Sequence, residues 1–412
     1  MKIPLASTGL RPADIATAIK VLESGNLTMG ALVKKFELEM ATYLECKNFI
    51  MMNSGSSANL SIVEALIRPT NNKPRLNVGD GILVPAVAWP TTIWPLIQLG
   101  LKPIFVDIAL DTLAMDIVEA QKAINNSKVP IKGIFLIHPL GLSINPHELI
   151  KFAEANKLVL ISDVCESLGS WNSGHHAGYG SIASSFSFYF SHHITTMEGG
   201  GVATNDDDLA NDLRSIRSHG WSRDRNDSSD WLKNLSGNDA KFLFVSTGFN
   251  VRPMEIQAAI GSSQLKDLDL FVERRRLMAE RLSNALKSTK LRLIGSETLD
   301  TLKTRKSHSW MLFPILLVGE NSAERKTRMV QALNDLEIET RPVLTGNFLA
   351  QPALKRIIKG LPNEETFKIA TQITTNAFLV GAHHEMSDEQ IKFLCKSLIN
   401  IDSELNENHQ KL

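Results

Sequence analysis

Residues 184–205, SSFSFYFSHHITTMEGGGVATN, run from one strand pattern (Ser184 to Phe188) through a histidine pair to a glycine triplet and into a second strand pattern (Gly201 to Thr204). Upstream, apolar runs at Phe49 to Met52, Ile82 to Pro85, Pro103 to Asp107, Gly133 to His138 and Leu158 to Asp163 alternate with helical patterns. Those helical patterns cover Ser56 to Ile67, Thr91 to Leu99, Met115 to Ile124 and Pro146 to Asn156. Strands separated by crossover helices predict an α/β layer fold with a mostly parallel central sheet and flanking helices. Past Asn205 the pattern predicts helices at Asp206 to His219 and Pro253 to Ser288, around a polar, exposed excursion at Ser222 to Asn238. From Leu291 a smaller α+β unit is expected, with strands at Leu291 to Ile294 and Met311 to Val318. Its predicted helices are Ala323 to Leu336, Glu364 to Phe378 and Ser387 to Asn400, and residues 401–412 are expected to fray.

The 412 residues carry 44 Lys+Arg against 44 Asp+Glu. No net charge draws the chain to a phosphate polymer or an anionic lipid surface, so neither nucleic acid nor membrane is an expected partner. Cys46, Cys165 and Cys395 are odd in number and far apart, which fits a reducing compartment and argues against a disulfide framework or an all-cysteine metal site. The N-terminus lacks the apolar core of a signal peptide, and no run of about 18 apolar residues occurs. A soluble, cytoplasmic protein is expected.

Four further segments carry candidate chemistry. Asn53 to Asn59, NSGSSAN, opens a helix after a strand, where free amides and hydroxyls suit an anion such as a phosphate; it also reads as an ordinary N-cap loop. Trp89, in AWPTT, sits after the next strand, where open α/β sheets place ligands. It suits stacking on a flat ring or plain core packing. Asp163, in DVCE, ends an apolar strand and suits either a protonated pyridine nitrogen or a helix cap. The His192-His193 pair has no further ligand at metal spacing, so no metal is expected.

With SFSFY…HITTMEGGGV and Gly248 to Glu255, GFNVRPME, these segments occur in an order and at separations that resemble the sugar-nucleotide aminotransferase and dehydratase family, often called the DegT family. The resemblance covers roughly residues 5 to 400. It implies a type I aminotransferase fold, pyridoxal or pyridoxamine phosphate as cofactor, and a homodimer with shared active sites. It further implies an N-terminal arm and substrate loop over 1–30, a large cofactor-binding α/β domain over 31–270 and a small C-terminal α+β domain over 271–412. Family correspondence assigns Gly55, Ser56 and Ser187 to the cofactor phosphate, Trp89 to the ring face and Asp163 to the ring nitrogen, with Glu166 near the same ring. Asn250 is expected to reach the phosphate from the partner subunit, accompanied by Arg252. Thr28 and Met29 match the substrate loop, Arg341 suits a pyrophosphate or the glutamate carboxylate, and Arg217 to Arg225 offers further cations. For these cations, ordinary ion pairs are an equal reading, and structural roles are the default for His219, His308, His383 and His384.

One departure bears on function. Family aminotransferases hold the cofactor covalently through a Lys where this chain has His192, and no Lys occurs from Leu158 to Leu232. Imidazole cannot replace that bond, but it can take and return a proton. His at this position resembles the family's 3-dehydratases, which remove the C-3 hydroxyl of nucleotide-linked 4-keto-6-deoxy sugars, with His192 as catalytic base. One subclass, acting on a CDP-sugar with a reductase, needs four cysteines for an iron-sulfur cluster, which three cannot supply. That favours the colitose-type subclass without a cluster, which carries Glu166 here. It implies GDP-4-keto-6-deoxy-D-mannose as substrate and L-glutamate as amino donor. A reductase-coupled CDP-sugar enzyme, a sugar-nucleotide aminotransferase and a cofactor-binding regulatory protein are the alternatives.

Overall fold

The computed structural model describes residues 1–7, 9–298 and 307–409. Nine strands precede residue 205: β1 (Asn48–Met52), β2 (Gly81–Pro85), β3 (Lys102–Val106), β4 (Ile131–Ile137), β5 (Val159–Asp163), β6 (Trp171–Asn172), β7 (His175–His176), β8 (Ala183–Ser187) and β9 (Gly200–Thr204). Seven of them form one sheet in the order β1-β9-β8-β5-β4-β2-β3. β9 runs antiparallel to both its neighbours, and the other pairings are parallel. Helices on both faces bury β1, β2, β8 and β9 along their whole length; β1 and β2 accordingly read as apolar runs, whereas β8, ASSFS, and β9, GGVAT, are buried with serines and glycines. Gly200 has a steric reason: a Cβ there would lie 2.4 Å from the Gly55 amide nitrogen, so the glycine lets helix Gly55–Ile67 begin directly over β9.

The smaller sheet joins β10 (Leu291–Leu293), β11 (Leu312–Leu317), β12 (Thr340–Arg341) and β13 (Ala377–Gly381) in the antiparallel order β10-β11-β13-β12. β11 is wholly buried between its neighbours and helix Ser322–Asp335. The last helix, Asp388–His409, is tied to this layer by Asp402, which accepts from Arg325 at 2.6 Å and from the Lys290 amide at 2.9 Å.

Within residues 1–30, helix Pro12–Ser24 packs with Ala31–Tyr43 against Glu255–Leu265. Its N-terminus is held by Arg11 and Asp14 and its C-terminus by Gly25 in the left-handed region. The helix expected over 253–288 is two, Glu255–Leu265 and Leu268–Leu286. At the break Arg11 binds the Ser263 carbonyl and the Asp267 carboxylate, a long-range contact with no local glycine or proline signal. The expected helix over 364–378 is helix Lys368–Asn376 running straight into β13. The excursion after Ser222 contains short helices Ser228–Leu232 and Gly237–Lys241. Of the tail expected to fray, residues 401–409 are helical, and 410–412 lie outside the described residues.

The Arg325 and Asp402 side chains are 2% and 4% exposed, so removing one leaves a buried charge without its partner. Asp402→Ala is expected to lower stability by about 3 kcal/mol in urea unfolding, with loss of the last helix's amide-exchange protection.

Candidate active site

The carboxyl ends of β1, β2, β4, β5 and β8 open toward one cavity of about 320 Å³. The chain supplies its wall in groups: Ser54, Gly55 and Ser56 after β1; Trp89, Thr91 and Thr92 after β2; Cys165 and Glu166 after β5; Tyr189, Ser191, His192 and Glu198 after β8. The smaller layer closes the other side with Met311, Arg341 and Leu344. Two backbone contacts hold that side in place: Phe348 donates to the Ala86 carbonyl at 2.8 Å, and Met311 to that of Leu140 at 2.9 Å.

One end of the cavity is a helix N-terminus. Ser54 caps helix Gly55–Ile67, its hydroxyl accepting from the Ser57 amide at 3.1 Å, while Gly55 and Ser56 line the cavity. A Cβ at Gly55 would sit 2.7 Å from the Cys165 sulfur and 2.8 Å from the Ser187 Cβ, so glycine alone lets helix and strand ends meet there. Ser187, nine-tenths buried at the end of β8, adds a hydroxyl. Amides, hydroxyl and helix dipole together suit an anionic oxygen cluster.

Below this lies the Asp163 carboxylate, 5% exposed. Its Oδ2 accepts from Asn59 Nδ2 and Thr92 Oγ1, both at 2.7 Å, and its Oδ1 accepts from the Cys165 amide at 3.1 Å. All three donors are neutral, and no ion pair among the described residues involves Asp163. A buried carboxylate held this way calls for a cation, and one acceptor position remains open for it. Trp89, 47% exposed, offers an indole ring on the cavity wall. The set fits a flat, protonated heteroaromatic ring with an anionic tail.

Opposite stand His192, Glu166 and Arg341. Glu166 accepts from the Leu140 amide at 2.9 Å and faces Arg341 at 3.8 Å. Burial pushes its carboxyl above the usual range, against the pull of Arg341. Burial also takes His192 down to about 4, helped by Arg341 and Arg275 and opposed by the Cys165 carbonyl. The imidazole is therefore neutral at neutral pH, with a lone pair free to accept a proton.

Of the residues singled out in the sequence, Gly55, Ser56, Trp89, Asp163, Glu166, Ser187, His192 and Arg341 share this cavity. Thr28, Met29, Asn250 and Arg252 do not line it within one chain. They gather elsewhere: Thr28 bridges Met254, and the exposed Asn250 accepts from Arg252 at 3.1 Å. Arg217 and Arg225 are buried in ion pairs with Glu37 and with Asp212 and Asp227, so they are structural rather than cations of the crevice. His308 accepts from the Ser143 amide at 2.7 Å, while His219 is exposed away from the cavity. Sequence reading missed Asn59 and Thr92, the two side chains that hold Asp163, although both lie inside the quoted SGSSAN and AWPTT segments.

Residues 10–399 match the DegT/DnrJ/EryC1/StrS aminotransferase family. A GDP-4-keto-6-deoxy-D-mannose 3-dehydratase of Escherichia coli O55:H7 is 36% identical over 389 residues, covering 94% of this chain and 97% of that protein. Among solved structures, a mutant GDP-4-keto-6-deoxymannose-3-dehydratase with bound GDP-perosamine superposes with a TM-score of 0.86 at 33% identity, over 96% of this chain and 100% of the other. The same type of enzyme with a trapped PLP-glutamate geminal diamine gives 0.83 at 33% identity, over 96% and 100% of the two chains.

Burial lowers six histidines: His192, His308 and His383 to about 4, His138 and His384 to about 3, and His193 well below its ordinary value. In the unfolded chain each returns to about 6.5. Between pH 6.5 and 4 the unfolded state therefore binds more protons, and stability rises with pH. Urea unfolding is expected to show stability present above pH 6.5 and lost on acidification toward pH 4, with a slope of up to about 1.4 kcal/mol per pH unit for each histidine.

Proposed function

The chain belongs to the DegT/DnrJ/EryC1/StrS aminotransferase family, and from that premise we propose that it is a pyridoxal/pyridoxamine phosphate-dependent 3-dehydratase. Its substrate is a nucleotide-linked 4-keto-6-deoxy sugar, GDP-4-keto-6-deoxy-D-mannose, and L-glutamate restores the amine form of the cofactor. One observation carries this reading: His192 faces the cavity together with Asp163, and no lysine is among the described residues lining it. The guanine nucleotide and glutamate are supported by the relatives' names and by the GDP-sugar and PLP-glutamate complexes of similar structures.

Bound in the cavity, pyridoxamine phosphate supplies an amino group for the sugar ketone and a ring that draws electron density as the C-3 hydroxyl leaves. The chain's residues do the rest. The Gly55 and Ser56 amides and the Ser187 hydroxyl bind the phosphate, and Trp89 covers one ring face. Asp163, held by Asn59 and Thr92, keeps the ring nitrogen protonated, which the buried carboxylate also needs for its own neutralisation. His192, neutral at working pH, removes a proton at the cofactor's C-4′ carbon and returns one. Glu166 stands beside the ring, and Arg341 offers its guanidinium to the glutamate carboxylate or the pyrophosphate. A lysine amine would compete for the cofactor aldehyde; an imidazole leaves elimination as the open path.

The working unit is a homodimer in which Asn250 reaches the partner's phosphate site, with Arg252, Thr28 and Met29 toward the sugar nucleotide. Two observations support it: Asn250 is exposed and outside its own cavity, and Tyr189 on the cavity wall and, in the same loop after β8, Phe190 and Met197 are 40%, 44% and 41% exposed. Among the described residues no helix is long and apolar enough to cross a membrane. With three free cysteines and a sugar-nucleotide substrate, this supports a cytoplasmic enzyme.

Borohydride reduction of the protein loaded with pyridoxal phosphate tests the reading. The wild type is expected to retain no covalent cofactor after denaturation, whereas His192→Lys retains one label per chain and loses dehydration. A stably labelled lysine in the wild type would contradict the account, as would full dehydratase turnover in His192→Lys.

A further inference from the structure

Behind His192 lies a second chamber of about 10 Å³, the space of a single water molecule. His192, His193, His383, His384, Ser191 and Arg275 are on its wall. Its nitrogens are short of partners: Nδ1 of His192, of His193 and of His384, both ring nitrogens of His383 and Nε of Arg275 are shielded and make no hydrogen bond. His383 is 7% exposed and Arg275 2%, so none of this polarity is solvated from outside. Arg275 spends Nη1 on the carbonyls of Trp310, Met311 and Ala382, each at 3.0 Å, and takes part in no ion pair among the described residues. Burial, and after it the positive charge of Arg275, keeps the neighbouring imidazoles neutral. A neutral imidazole has one N–H and one bare nitrogen, the combination that a chain of hydrogen bonds through one water requires.

His192 is the one side chain that borders both this chamber and the large cavity with a titratable ring. Of its two nitrogens, Nδ1 is the shielded one without a partner, while the Cys165 carbonyl, on the large-cavity side, competes for the ring's proton. We propose that His383 is a positioning residue for His192: one water in the small chamber links its imidazole to Nδ1 of His192, keeps the proton there, and leaves the Nε2 lone pair for the large cavity. The role of His192 as base rests on the dehydratase reading; the tautomer does not. An imidazole base whose proton is parked on the far nitrogen needs no rearrangement before accepting another, so losing the link costs rate rather than substrate affinity.

The imidazole ¹⁵N spectrum of the wild-type protein, assigned with His192→Gln, reads the tautomer without any turnover. The proton is expected on Nδ1 of His192; a proton on Nε2 overturns the proposal and leaves the dehydratase reading untouched. In turnover, His383→Leu is expected to lower kcat about 10–100-fold with an unchanged KM for the nucleotide sugar, and His383→Gln, which keeps hydrogen-bonding capacity, to recover most of it. Equal activity in both variants, or a raised KM at unchanged kcat, would refute the link. If His383→Leu fails to fold, the wild-type spectrum and the Gln variant decide.

Discussion

The Asp163 carboxylate is the constraint on which the site depends. It is buried at the end of β5 and receives hydrogen bonds only from neutral donors: Asn59 on the helix after β1, Thr92 on the helix after β2, and the Cys165 amide. Two helices and the end of β5 are thereby registered on one negative charge, with no cation beside it among the described residues. Such a group is costly unless a ligand brings the positive charge. The fold leaves an electrostatic demand that a protonated ring nitrogen would satisfy, and the helix N-terminus at Gly55 suits an anionic tail such as a phosphate.

His192 works against the same background of burial. Desolvation holds it neutral, as Arg275 and Arg341 also do, so a side chain that elsewhere would be half protonated near pH 6.5 is a ready base. Glu166 is moved in the opposite sense by the same burial, its carboxyl raised while Arg341 partly offsets the shift. Glu166 and His192, on the same side of the cavity, are thus shifted apart by one physical cause acting on opposite charge types. The small chamber lies behind His192, where imidazoles and a buried guanidinium reach only the back of its ring.

Much of this was legible in the sequence because the parallel strands are buried on both faces and read as unbroken apolar runs. The strand ends carry the chemistry within a few residues, so Asp163, Trp89 and His192 stood out locally. What escaped notice depends on contacts between distant segments. Helix Pro12–Ser24 turns Ile15, Ile19 and Leu22 outward, so its apolar positions do not mark a core. The break before Leu268 is stabilised by Arg11, some 256 positions away. Asn376 passes from helix into β13 without a turn residue. In the site, Asn59 and Thr92 lay inside segments already quoted, but nothing in one sequence says that two helices aim at the same oxygen. Asn250 and Arg252 lie outside their own chain's cavity and contact each other instead.

The most direct measurement of the central claim is mass spectrometry of the sugar product when the protein, pyridoxal phosphate and L-glutamate are incubated with GDP-4-keto-6-deoxy-D-mannose. The account predicts a GDP-linked 4-keto-3,6-dideoxy sugar that has lost the C-3 oxygen, together with 2-oxoglutarate. A GDP-linked 4-amino sugar that keeps the C-3 hydroxyl would contradict it, because that product requires the amine transfer that His192 in place of a lysine is held to prevent.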